Sequence, residues 1–162
     1  MFAKATRKVE IFRDLSPEQI KEFYTWLQRR DVPADTVVFE EGETPDGLYL
    51  LCEGTVSVLK GPARSKTQVT DISAPSCFGE MSLLSASARS ATVKAKTNIK
   101  TGFLPLLTFR RKLSENNLTA LRMGVTFGEI LCARLEATTG GFVESTALLA
   151  HRTAQLARHA RR

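Results

Sequence analysis

One segment of the sequence carries residue types that together could hold a phosphate and a sugar. It spans Phe78–Val93 and contains Gly79, Glu80, Arg89 and Ser90. A glycine lets a ligand approach the backbone, and a helical turn after Glu80 would point backbone N–H groups at an anion. Arg89 could meet the same anion with a planar pair of donors, and Ser90 adds a hydroxyl. Because Glu80 would repel a phosphate but can accept a hydrogen bond from a sugar hydroxyl, the set suits a ribose phosphate.

The residues around this segment predict a framework of short strands. Between Thr36 and Leu104, runs rich in Val, Leu, Ile, Thr and Phe are cut at short intervals by turn signals that contain glycine. This pattern is typical of an antiparallel sandwich or barrel. Alternation of apolar and polar residues in 55–58 and 67–72 predicts two half-buried strands, with Arg89 opening a further one.

A helix is predicted before the strands. Ser16 is a suitable capping residue, because Pro17 follows at the first helical position and Gln19 stands three residues after the cap. The apolar face of this helix comprises Ile20, Phe23, Tyr24 and Leu27, and Pro33 ends the region.

A long helix is predicted after Pro105, and it carries two apolar stripes. The first, at heptad-like spacing, comprises Leu118, Leu121, Val125, Gly128, Cys132 and Leu135. The second comprises Met123, Phe127, Ile130 and Leu131. A helix that is apolar on two sides needs two partners, so the sequence predicts a homodimer through residues 118–135. The alternative is one wide stripe buried within one chain.

Composition narrows the class of protein. Lys and Arg number 23 against 17 Asp and Glu, a net charge of +6 that favours an anionic partner without identifying it. The first residues show no signal-peptide pattern, and no run is long and apolar enough to span a membrane. Three cysteines without paired spacing favour a reducing compartment. We therefore expect a cytoplasmic protein.

Residues 78–93 resemble the phosphate-binding cassette of the cyclic-nucleotide-binding domain family, F-G-E-[LM]-[AS]-L-[LI]-x-x-x-x-R-[AST]-A-T-V. Ala88 departs from the pattern, since many members have proline there. Residues 47–58 are similar to the family's hairpin, in which glycines flank an apolar strand, and Glu41-Gly42-Glu43 resembles the turn before it. The resemblance covers residues 10–137.

The resemblance implies a mainly β fold, an eight-stranded jelly-roll barrel with an N-terminal helix and a long C-terminal helix. It implies a binding domain over residues 1–137. The Ala/Leu-rich and basic residues that follow predict a helical tail over 138–162, either a lid over the site or a docking segment for a partner. Glu80 is expected to bind the ribose 2′-hydroxyl, and Arg89 the exocyclic phosphate oxygen. The other expected residues of the phosphate pocket are Gly79, Met81, Ser82, Ser90 and Ala91. Apolar contacts to the base and sugar are expected from Val58, Val69 and Ile72.

The sequence around Arg89 is most similar to the bacterial catabolite-activator branch of the family. In that branch a long helix pairs with its twin and places a Thr-Ser pair near adenine. Thr138 and Thr139 end a comparable helix here, so cAMP is the expected ligand, with cGMP left open by Ser90. Residues 140–162 are too few for that branch's DNA-reading helix-turn-helix domain. We therefore expect a sensor that signals to a protein partner by population shift.

Other functions are weaker readings of the same sequence. The fold could serve as a scaffold that has lost its ligand, or the basic tail could bind nucleic acid, although Phe142 is its one aromatic residue for stacking. Catalysis is not expected, because a phosphodiesterase needs a metal cluster or a general base near the phosphate. His151 and His159 stand eight residues apart, which does not suit a helical metal pair.

Overall fold

The computed structural model describes residues 9–62, 64–84, 87–133 and 135–136, and only the backbone of Ser82 and Leu84. By compactness the chain divides into one unit that ends at Phe127 and a second that begins at Gly128. The first unit holds the strands and the cassette. The predicted boundary between residues 137 and 138 lies outside the described residues and stays a prediction.

In the described part of the chain, eight antiparallel strands form two four-stranded sheets, in the order β1-β8-β3-β6 and β2-β7-β4-β5. The strands are β1 (Gln28–Val32), β2 (Val37–Phe39), β3 (Gly47–Glu53), β4 (Thr55–Lys60), β5 (Thr67–Ser73), β6 (Ser76–Phe78), β7 (Thr92–Ala95) and β8 (Ile99–Pro105). Two facing sheets with crossed strand order are the predicted jelly roll, so the fold class is confirmed.

The core between the sheets is built around aromatic rings. Phe39, Tyr49, Phe78 and Phe103 come from four different strands and are all nearly inaccessible to solvent. The Tyr49 and Phe78 rings stack at 5.1 Å, and the Tyr49 and Phe103 rings lie 4.9 Å apart. Each such pair stabilises the fold by about 0.5–1.5 kcal/mol beyond burial of its area. Strands that contribute to this cluster are therefore fixed relative to one another.

The predicted N-terminal helix is present as α1 (Pro17–Tyr24). Its capping box is complete: the Ser16 hydroxyl accepts from the Gln19 N–H at 3.3 Å, and the Gln19 side chain accepts from the Ser16 N–H at 3.0 Å. The helix ends at Tyr24, before Leu27, and a short 3-10 turn (Glu10–Phe12) precedes it. Phe23 on α1 is fully buried.

Two strands differ from the sequence predictions. β1 was not expected, because its sequence Gln-Arg-Arg-Asp-Val shows no apolar alternation. β5 was expected to be half-buried, yet most of its residues are exposed and Ile72 is the partly buried one. Both strands lie at the edge of a sheet, where one side has no neighbouring strand and polar side chains remain in water.

Two helices follow the strands: α3 (Leu106–Ser114) and α4, which occupies residues 118–133, with 135 and 136 also helical. Within the first unit, Met123 and Phe127 of α4 are fully buried, whereas Leu118, Leu121 and Val125 are 57%, 43% and 64% exposed. In the second unit Ile130 is buried, and Leu135 is 68% exposed. The two predicted stripes are thus distinct, one buried and one exposed.

Hydrogen bonds fasten the start of α4 to the N-terminal segment. The Glu22 carboxylate accepts from the Asn117 amide at 2.7 Å, and Arg122 donates to the Gln19 side chain at 3.0 Å. The Thr126 hydroxyl donates to Asp14 at 3.1 Å. These bonds tie α1 and the first turns of α4 together. Among the described residues, no helix has the length and hydropathy needed to cross a membrane.

Candidate anion-binding site

The Arg89 guanidinium lies at the centre of the cassette, with its side chain 2% exposed. Its Nη2 donates to Asp46 Oδ1 at 2.7 Å and to the Gly47 carbonyl at 2.8 Å. Its Nη1 donates to the Gly79 carbonyl at 3.2 Å, and the Phe39 ring centroid lies 4.0 Å from Cζ. Contacts from three separate parts of the chain therefore orient one buried cation.

The backbone of Arg89 is held by the Glu41-Gly42-Glu43 turn. The Gly42 N–H donates to the Arg89 carbonyl at 2.8 Å, and the Arg89 N–H donates to the Glu43 carbonyl at 2.9 Å. Gly42 has a φ of +88°, a backbone conformation that glycine adopts without strain. The Glu41-Gly42-Glu43 turn, which resembles the family motif, thus holds the backbone of Arg89 through two hydrogen bonds.

The Glu41 side chain links the same turn to the end of β4. Its carboxylate accepts from the Gly61 N–H at 3.0 Å and pairs with Lys60 Nζ at 3.1 Å. The hydrogen bond from Gly61, and then Lys60, lower the pKa of Glu41. Lys60 Nζ also donates to the Ser90 carbonyl at 2.7 Å. The end of β4 is therefore tied to the residue that follows Arg89.

Gly79 makes the close approach of Arg89 possible. Its φ is +77°, and a Cβ at this position would lie 2.6 Å from Arg89 Nη1. After Glu80 the chain forms the short helix α2 (Met81–Leu84), as the sequence predicted, with the Leu83 N–H donating to the Glu80 carbonyl at 3.0 Å. Glu80 is 7% exposed. The structure thus brings Gly79 and Arg89, predicted as parts of one site, into contact, and Glu80 follows Gly79 directly in the chain.

The other described residues predicted for the phosphate pocket are less buried than Arg89. The Ser90 hydroxyl lies 3.7 Å from Met81 Sδ, Met81 is about half exposed, and Ala91 is half-buried. The side chain of Ser82 lies outside the described part of the structure. The prediction that Arg89 opens the next strand is wrong. Residues 90 and 91 separate Arg89 from Thr92, where β7 begins.

The three predicted apolar contacts occupy different environments. Val58 on β4 and Ile72 on β5 are partly buried and pack against the aromatic core. Val69 is 64% exposed, at an irregularity in the β4–β5 pairing. An exposed valine at the free edge is poorly held by its own chain, and its contact with a ligand stays a prediction. Thr138 and Thr139 lie outside the described residues.

Sequence reasoning missed two residues that hold Arg89. Phe39 ends β2, and Asp46 directly precedes β3. Asp46 resembles an ordinary turn residue before Gly47, and Phe39 an ordinary core residue. Their relation to Arg89 depends on strands that pair far apart in sequence, and a linear motif does not carry that information.

Residues 29–116 match the family model described as the cyclic nucleotide-binding domain. This span is more than half of the chain and contains the whole cassette. The chain therefore belongs to the cyclic nucleotide-binding domain family.

Two of the curated relatives that match the chain come from different kinds of protein. The chain is 34% identical over 105 residues to a cAMP-dependent protein kinase regulatory subunit of Candida albicans, covering 65% of this chain and 22% of the relative. It is 29% identical over 101 residues to the cGMP-dependent protein kinase 2 of Homo sapiens, covering 62% and 13%. The matching segment thus spans about a fifth or less of these relatives.

Two solved structures share the fold. A cyclic nucleotide-binding domain from Methylobacillus flagellatus superposes with a TM-score of 0.75 at 21% identity, covering 89% of this chain and 83% of that one. The catabolite activator protein of Thermus thermophilus superposes with a TM-score of 0.67 at 25% identity, covering 82% and 63%. The likeness to the catabolite-activator branch therefore extends from the cassette sequence to the fold.

Proposed function

We propose that the chain is a cytoplasmic receptor module that binds cAMP and passes the signal to a protein partner. The observation that carries the proposal is the buried Arg89 guanidinium, which donates to the Gly79 carbonyl next to the buried residue Glu80. A cation of this kind can bind the cyclic phosphate, while the carboxylate accepts from the ribose 2′-hydroxyl. The absence of paired cysteine spacing supports a reducing compartment.

A route from the cassette to α4 supports the signalling part of the proposal. Helix α2 packs against α3, and the Phe109 ring of α3 meets the Phe127 ring of α4 edge-on at 6.3 Å. A ligand that favours one arrangement of α2 would shift the population of α3 and α4 positions. The partner that responds to this shift would be a protein that contacts the helices, because the cassette itself would be occupied by the anionic small molecule.

The choice of cAMP rests on the similarity to the catabolite-activator branch and on Thr138 and Thr139. Relatives named for cAMP and for cGMP both match this chain, and a hydroxyl such as that of Ser90 can serve either base. We therefore propose cAMP as the preferred ligand and cGMP as the weaker one. A scaffold without a ligand is the alternative function.

Calorimetric titration of the wild-type chain with cAMP and cGMP tests this proposal. We expect micromolar or tighter binding of cAMP, weaker binding of cGMP, and a large loss of affinity in Glu80→Ala, because the ribose hydroxyl would lose its acceptor. Glu10→Ala, on an exposed residue outside the cassette, is the matched control and should bind as the wild type does. Failure of both nucleotides to bind would leave the scaffold function.

We also propose that the chain is a homodimer through α4 and performs no catalysis. Three apolar side chains of α4, Leu118, Leu121 and Val125, are each at least 43% exposed at heptad-like spacing, and such a stripe is costly to leave in water. Among the described residues, no group of three or more His, Cys, Asp and Glu side chains is placed to hold a catalytic metal ion. Nucleotide recovered after incubation should therefore be unchanged cAMP, and formation of AMP would contradict this part.

Charge placed on the stripe should break the dimer. We expect Val125→Asp to convert a wild-type dimer into a monomer in light scattering, because burying a carboxylate at an apolar interface is strongly unfavourable. Leu107→Asp, on a residue of α3 that is 79% exposed, is the matched control and should remain dimeric.

Cys132 belongs to the same heptad series in the sequence, so mild oxidation should cross-link two wild-type chains. A monomeric wild type at high concentration, with and without nucleotide, would contradict the dimer.

A further inference from the structure

A second arginine lies close to the site, on the edge strand β1. Arg30 Nη1 lies 3.4 Å from Asp46 Oδ2 and donates to the Tyr49 hydroxyl at 3.0 Å. Its Cζ lies 3.4 Å from the centroid of the Phe103 ring. The sequence analysis gave this residue no role, because β1 itself was not expected.

Arg30 and Arg89 share one carboxylate. Asp46 Oδ1 pairs with Arg89 at 2.7 Å, while Oδ2 faces Arg30 at 3.4 Å. Each guanidinium also lies over a ring of the aromatic core, Arg89 over Phe39 and Arg30 over Phe103. The core thus carries a cation at each of two rings, with an anion between them.

This arrangement changes the charge that an incoming phosphate meets at Arg89, apart from the negative charge of Glu80, which is assigned to the ribose hydroxyl. Asp46 alone would neutralise Arg89 and would repel a second anion brought to the same guanidinium. With Arg30 included, the three side chains sum to one positive charge. A cyclic phosphate carries one negative charge, so the cluster becomes neutral when it binds.

We propose that Arg30 is a positioning residue for the anion site. Arg30 acts through Asp46: it offsets the negative charge of this carboxylate, so the field at Arg89 stays positive for the phosphate. This inference rests on the proposed nucleotide-binding function. The ring of Phe103 and the hydroxyl of Tyr49 hold the guanidinium in place. Burial raises the pKa of Tyr49, so the phenol stays neutral and able to accept from Arg30. The Arg30 side chain is 41% exposed, so water screens the effect and its size is moderate.

The test compares Arg30→Gln with Arg29→Gln in calorimetric titrations with cAMP. Arg29 is the neighbouring residue of β1, is 59% exposed and pairs with Asp31, so its removal costs the chain the same charge without touching Asp46. We expect Arg30→Gln to bind roughly three- to tenfold more weakly at low salt, and Arg29→Gln to bind as the wild type does. The deficit should shrink at high salt, and Arg30→Lys, which keeps the charge, should recover most of the affinity.

The outcomes separate this inference from the function on which it rests. If the wild type binds neither cAMP nor cGMP, the proposed function is wrong and the role of Arg30 falls with it. If the wild type binds and Arg30→Gln matches Arg29→Gln, the role of Arg30 is wrong while the function stands. A loss that is independent of salt and equal in Arg30→Gln and Arg30→Lys would indicate a packing role and overturn the electrostatic one.

Discussion

Replacing Arg89 by lysine is expected to weaken cAMP binding on the order of a hundredfold, even though the positive charge is kept. The guanidinium reaches Asp46 and two backbone carbonyls at once and lies over the Phe39 ring, with Cζ 4.0 Å from its centroid. An ammonium group is a point charge without the planar fork, so it cannot make these contacts and still face a phosphate. A lost charge-assisted contact of this kind costs about 2–5 kcal/mol.

Titration calorimetry measures the loss, and Arg29→Lys makes the same exchange at an exposed arginine as its control. Thermal unfolding of both variants separates binding from folding, since Arg89 is also part of the buried structure. Affinity within about threefold of the wild type in a folded Arg89→Lys variant would show that charge is sufficient. That result would overturn the assignment of the planar contacts to ligand binding.

The cassette could be predicted from sequence because its functional residues lie close together in the chain. Gly79, Glu80 and Arg89 span eleven positions, and their residue types each suit one part of a ribose phosphate. The contacts that orient Arg89 could not be predicted in the same way. Asp46 reaches Arg89 because two distant segments of the chain fold together, a tertiary relation that periodicity does not encode.

Some strands could be predicted from the sequence and others could not. β3 was predictable because glycines bound an apolar run that is buried on both faces, and β4 because apolar and polar residues alternate along its first half. β1 was missed because an edge strand can tolerate charges at most of its positions, and Arg30 was missed with it. The two stripes of α4 were predictable because helical spacing assigns apolar residues to separate faces of one helix, of which one is buried and the other exposed.

Gly47→Ala is expected to cost about 3 kcal/mol or more of folding free energy, the largest stability loss among the glycine variants of the site. A Cβ at Gly47 would overlap the Leu104 carbonyl oxygen and would lie 2.9 Å from two carbons of the Phe103 ring. The Leu104 oxygen belongs to the backbone of β8, which is paired with β3, so it cannot rotate away as a side-chain atom could. The carbonyl of Gly47 also accepts from Arg89, so separation of the strands would disturb the anion site as well.

Gly42→Ala is the matched control, because it tests backbone strain without a steric clash. Gly42 has a φ of +88°, and nothing lies within 4 Å of a Cβ built there, so only the strain of about 1–2 kcal/mol is expected. In thermal unfolding, Gly47→Ala should therefore melt below Gly42→Ala, by about 2–4 °C for each kcal/mol of difference. The opposite order would mean that β3 and β8 separate at their ends at little cost. In that case the Gly47 carbonyl would not be a fixed acceptor, and Asp46 would be left as the main group that orients Arg89.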